Sequence, residues 1–144
     1  MASFVAKAKA GNDFAIKLSA LPSVMRESVA RRALDAGAEV VKHETEDRLK
    51  KVIHGPSTGA LVESITIAQV KSTGDGYSVF LGFDGYDAKG VPNALKARVR
   101  ESGRSYHTQP KRPFLRPAVK ASKTECFERV GEVIDAEIAK IMNN

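Results

Sequence analysis

The sequence holds one cysteine, Cys126, so it forms no intrachain disulfide and builds no zinc site from several thiolates. Histidines are few: His43, His54 and His107 do not stand four apart, so no two imidazoles share a helical face for a metal. Tryptophan is absent and aromatics make up 6%. Long apolar runs are missing, and none approaches the roughly 18 residues of a membrane span. The first residues lack a continuous apolar core and a cleavage site, so no secretory signal is expected. Catalytic patterns are missing as well. Gly74-Asp75-Gly76 and Gly82 lack the strand-before, helix-after setting of a dinucleotide loop, and Asp84 and Asp87 do not follow calcium-loop order. No Ser-His-Asp set is legible, and Glu39, Glu44, Glu46 and Asp47 fit the solvated face of a helix. Cys126 lies on an apolar stripe and reads as a small core residue. The expectation is a protein with no enzymatic activity, cofactor, metal or small-molecule substrate, and no membrane.

The 144 residues, 42% of them hydrophobic, suffice for a single domain over 1–144 with a real core. Its net charge of +6 is unevenly spread: +3 over 1–58, −3 over 59–88, +9 over 89–123 and −3 over 124–144. The basic block is Lys89, Lys96, Arg98, Arg100, Arg104, Lys111, Arg112, Arg116, Lys120 and Lys123, opposed by Glu101 alone. Such a block suits a solvated surface, an acidic protein partner or nucleic acid. Tyr106 and Phe114 are its only aromatics, few for stacking single strands, and no helix-turn-helix or zinc module accompanies them.

Along the chain, 1–12 reads as a mobile arm. Phe14, Ile16 and Leu18 alternate with other residues as in a short strand. From about Pro22 to Lys51, Leu21, Met25, Val29, Ala33, Ala36 and Val40 recur at helical steps, continued by Val41, Thr45, Leu49 and Val52. Roughly 30 helical residues run about 45 Å. A compact chain of this length is roughly 37 Å across, so the helix either kinks near Gly37 or projects. His54 to Gly59 breaks the helix. A strand over about 64–71, a turn at Ser72–Gly76 and a strand over 77–83 make a hairpin. Residues 84–111 read as a flexible basic loop, with Asn93 to Glu101 either helical or extended. A last helix opens near Pro117, with Val119, Cys126, Phe127, Val130, Val133, Ile134, Ile138 and Ile141 as its stripe; Gly37 and Gly131 are candidates for a close crossing. The fold class is α+β: two long helices on a small antiparallel sheet.

Gln109-Pro-Lys-Arg-Pro-Phe-Leu-Arg-Pro-Ala118 leads into that last helix. Pro113 and Pro117 hold an extended entry, Phe114 and Leu115 anchor in the core, and Arg112 and Arg116 keep their heads in water or on a partner. Arg98, Arg100, Arg104, Lys111, Arg112 and Arg116 are the candidate partner interface.

The order of elements is a long helix, Pro56-Ser-Thr-Gly59 with Leu61 and Ile65, a hairpin, then Arg112–Ala118 and a final helix. In this it resembles the tail-component family of tailed bacteriophages. These are small proteins that complete the tail, or join it to the head, in lambdoid-type phages with long non-contractile tails. The family often carries an aromatic and an acid before the motif. Glu101 and Gly103 match that pattern, and Ser102 stands where the aromatic would be. The resemblance implies a minor structural protein that forms a homo-oligomeric ring in the virion neck or tail end, after passing through the host cytoplasm. Its neighbours would be connector or neck proteins and the tail tube or terminator. The alternative is a basic module contacting DNA phosphates, and transient contact with DNA stays open for either.

Overall fold

Apolar residues at steps of three and four from Leu21 onward dictate a helix longer than a compact globule. The structure resolves the mismatch by laying the last helix along it. The computed structural model describes residues 13–52, 58–73, 76–103 and 112–143. Its elements are α1 (Asp13–Ser19), α2 (Ser23–Val52), α3 (Thr58–Glu63), β1 (Ile65–Ile67), β2 (Lys71–Thr73), β3 (Gly76–Ser78), β4 (Leu81–Phe83), α4 (Asn93–Ser102) and α5 (Leu115–Met142). The arm 1–12, residues 53–57, the hairpin tip 74–75 and residues 104–111 lie outside the described residues.

α2 and α5 run antiparallel. Arg32, early in α2, meets Glu137, late in α5, at 2.7 Å, whereas Leu49, late in α2, shares a core cluster with Leu115, which opens α5. One core would not cover so long a pair, and the chain builds two. At the first end Leu21, Val29, Ala33, Val130 and Ile134 pack with Phe14, Leu18 and Ile138. At the other, Leu49, Leu61, Ile65, Leu81, Phe83, Ala94, Ala97, Phe114 and Leu115 join the helices to the hairpin and α4.

Between the two clusters the helices touch at Gly37. A Cβ there would lie 2.6 Å from Val130 Cγ2 and 3.1 Å from Cys126 Sγ, so only hydrogen fits without movement. Gly131 is not its partner in the crossing: a Cβ at Gly131 would meet Phe14 Cε1 at an ordinary 3.5 Å. The two glycines should therefore answer differently to alanine. Gly131→Ala should stabilise by about 0.5–1 kcal/mol through helix propensity. Gly37→Ala should lose that gain to displacement of Val130 and melt at or below the wild type, as parallel thermal melts of the two variants would report.

Phe14, Ile16 and Leu18 do not form a strand. They lie in α1, because Phe14 and Leu18, four apart, reach the first core together. Phe14 meets Phe127 edge-on, with centroids 6.1 Å apart, and Ile16 is left exposed. A five-residue alternation of apolar residues fits both periods, and the α2–α5 surface decides between them.

The hairpin keeps its predicted place but not its predicted continuity. β1 pairs with β4 in the register Ile65–Phe83, Thr66–Gly82 and Ile67–Leu81, and Ala68 N–H donates to Phe80 O at 2.8 Å in the same register. β2 pairs with β3 as Lys71–Ser78, Ser72–Tyr77 and Thr73–Gly76, one residue out of step. Gln69 and Val70 thus stand opposite Val79 alone, which is a β-bulge. The extra residue turns Val70 into the protein while Ala68 and Gln69 stay exposed.

The segment expected as a loop over 84–111 carries α4, ten residues long. Its entry is tied down twice. Asp87 accepts N–H bonds from Lys89 and Val91, both at 2.8 Å, and Asn93 donates to Asp84 O at 2.9 Å through its side chain and to Gly85 O at 3.0 Å through its backbone. Lys96 Nζ stands 2.6 Å from Asp87 Oδ2. That hydrogen bond, ahead of the backbone ones, holds the Asp87 carboxyl below its ordinary pKa of 3.8.

Candidate functional site

The last helix begins at Leu115, two residues before Pro117. A proline is tolerated there because the first amides of a helix have no carbonyl partner within it. Those amides are satisfied by a side chain from elsewhere. Glu101, on the last turn of α4 and buried, accepts from Phe114 and Leu115 through Oε2 at 2.8 Å each, and from Arg116 through Oε1 at 3.0 Å. Its negative charge also sits at the positive end of the α5 dipole. A further bond from Arg112 N–H to Arg100 O, 2.7 Å, fixes the incoming strand against α4. Phe114 is then fully buried, edge-on to Phe83 with centroids 5.8 Å apart.

This clamp leaves a cleft of about 620 Å³ between the end of α4 and the start of α5, lined by Glu101, Ser102, Pro113, Arg116, Pro117 and Lys120. Its charge is positive. Arg98, Arg112, Arg116 and Lys120 are exposed and make no ion pair among the described residues. Glu101 forms an ion pair with none of them: its buried carboxylate is aimed at the backbone amides of α5, and in the cleft wall two cations, Arg116 and Lys120, outnumber this one acid.

The candidate interface residues fall into three groups. Arg116 lines the cleft, while Arg112, just ahead of it in the chain, and Arg98, on α4, are exposed. Arg100 is half-buried and contributes its carbonyl to the clamp. Arg104 and Lys111 lie outside the described residues. Of the motif anchors, Phe114 and Leu115 are in the core, Pro113 is exposed and Pro117 is half-buried in the cleft wall. Sequence reasoning did not single out Lys120, which lines the cleft, or give Glu101 its capping role. Cys126 is half-buried, and desolvation pushes its thiol above the ordinary 9.0, which favours the protonated form. No group of residues suited to a metal occurs among the described residues, and no described helix is long and apolar enough to cross a membrane.

Residues 12–82 match the model of a family described as "Bacteriophage HK97-gp10, putative tail-component". The match takes in α1, α2, α3 and the hairpin as far as Gly82, and ends before α4 and the Arg112–Ala118 string. No curated protein and no solved structure matches the chain at a significant level.

Proposed function

We propose, from the premise that residues 12–82 are those of a phage tail-component family, that this chain is a structural protein of the neck or tail end. It forms a ring that completes the tail or joins tail to head, and it works by shape and charge, without catalysis. The family match carries this reading. The basic cleft supports it, since a concave patch of unpaired cations suits an acidic protein surface. Against a nucleic-acid module stands the chemistry of the cleft. The amides that would receive a phosphate are taken by Glu101, and among the described residues no aromatic lines the walls for stacking bases.

The test is complementation of a phage lacking this gene, with electron microscopy scoring separate heads and tails. Wild-type protein should restore joined particles. Arg98→Glu, Arg116→Glu and Lys120→Glu together should fold normally, because all three side chains are exposed, and should lower infectious yield by about tenfold or more. Normal virions without the protein would overturn the structural reading. Tight duplex binding by the purified protein at physiological salt would favour the nucleic-acid alternative.

A further inference from the structure

Helix α5 changes sign along its length. Its first turns carry Arg116, Lys120 and Lys123, and its middle turns carry Glu125, Glu128, Glu132 and Asp135, with Arg129 among them, all exposed. Steps of three, four and three place these four acids on one face of a helix with 3.6 residues per turn. Ala121 and Ala139, also exposed, extend that face without bulk. Glu125 and Glu128 have no ion-pair partner among the described residues, whereas Glu132 meets Arg129 at 3.1 Å and Asp135 meets Lys17 at 2.9 Å, both in exposed pairs. The chain thus presents a small-sided acidic ridge and, at the other end of the same helix, a basic cleft. Lys120 and Glu128 are separated by about 12 Å along the axis and cannot satisfy each other within one chain.

We infer that the occupant of the basic cleft is a second copy of this chain, which lays the acidic ridge Glu125–Glu128–Glu132 of its own α5 against Arg116 and Lys120. This rests on the reading of the protein as an assembling structural component. The two patches also determine the kind of contact. On a regular helix the mean direction of Arg116, Lys120 and Lys123 lies about 130° from that of the four acids. Two α5 helices packed antiparallel across a two-fold axis would need both patches on one face, so they cannot satisfy both. Cleft-to-ridge contact instead uses a different surface on each copy. However many copies are added, the assembly keeps one free patch of each sign, at its two ends, and such a heterologous contact grows into a closed ring or an open helix.

The experiment is sedimentation velocity of the purified chain at low and high salt, with two charge-reversed variants. Wild type should form species larger than a dimer at low salt and dissociate as salt rises. Arg116→Glu with Lys120→Glu should weaken self-association by about tenfold or more, as should Glu125→Lys with Glu128→Lys. All four side chains are exposed, so both variants should melt like the wild type. Mixed in equal amounts, the two variants should assemble again, since each reversed patch then meets its complement. A wild type that is monomeric at every salt, a dimer that grows no further, or a mixture that stays dissociated would overturn the inference. The two tests fail separately. Normal virions without the protein overturn the tail role and leave the self-contact measurable. A cleft variant that assembles normally but blocks joining gives the cleft to another protein and leaves the tail role standing.

Discussion

Glu101→Ala is expected to destabilise the protein by about 3–5 kcal/mol, the sum of several lost charge-assisted bonds and newly unpaired amides. The substitution removes the only acceptor that three N–H groups have among the described residues, two of them on the buried residues Phe114 and Leu115. A domain of this size has about 5–15 kcal/mol in total, so the loss is a large fraction of it. At about 2–4 °C per kcal/mol the melting temperature should fall by roughly 10 °C. Glu101→Gln keeps an amide oxygen to accept some of these bonds but loses the charge and turns a donor toward donors. It should fall between the wild type and alanine. Thermal melts of the three proteins test the order. If alanine melts within about 1 kcal/mol of the wild type, the amides at the start of α5 find water in the open cleft, and the carboxylate is not their essential acceptor.

A second large effect is expected at the opposite end of the molecule. Ile134 is 1% exposed and packs with Leu21, Val29 and Ala33 where α1, α2 and α5 meet. Ile134→Asp would bury a carboxylate with no partner and leave a gap, at a cost of several kcal/mol, enough to unfold the domain. Val130→Asp, beside Gly37, should do the same. Ala136→Asp is the control: it is exposed on the same helix and should lose only about 0.7 kcal/mol, the difference in helix propensity. Circular dichroism melts of the three variants distinguish a packed face from a merely helical one. Wild-type melting of Ile134→Asp would mean that α5 does not pack as described.

Both long helices were legible in the sequence because their stripes run for about six turns or more, and a period repeated that often leaves no second solution. The hairpin was legible from its turn and alternation, but its bulge was not. Gln69 and Val70 continue the local pattern, and only the register on the partner strand shows one residue too many. Phe14–Leu18 was misread because three apolar residues at steps of two also contain one pair at a step of four. α4 was obscured by its own charge. Lys96, Arg98 and Arg100 look like a solvated loop until Asp87 and Glu101 are placed beside them, and those contacts span 9 and 13–15 residues. The one sequence signal for the clamp was Glu101 itself, a single acid within a basic block and ahead of a proline-bounded helix start. The cleft depends on α4 and α5 meeting end to end, which no local pattern states.

The antiparallel pairing of α2 with α5 also sets the order of events during synthesis. The apolar face of α2 is complete at Val52, but its partner is complete only at Met142. At bacterial-to-eukaryotic ribosome speeds of about 5–20 residues per second, those intervening residues take roughly 5–18 s to emerge. For that interval α2 has α1, α3, the hairpin and then α4 to shelter it, but the cluster around Val29 and Ala33 lacks Val130 and Ile134. Final folding is therefore a late, long-range closure of α5 onto a waiting half-core. Such closures are slow, and the nascent chain is most exposed to aggregation and chaperone capture just before the last helix leaves the ribosome.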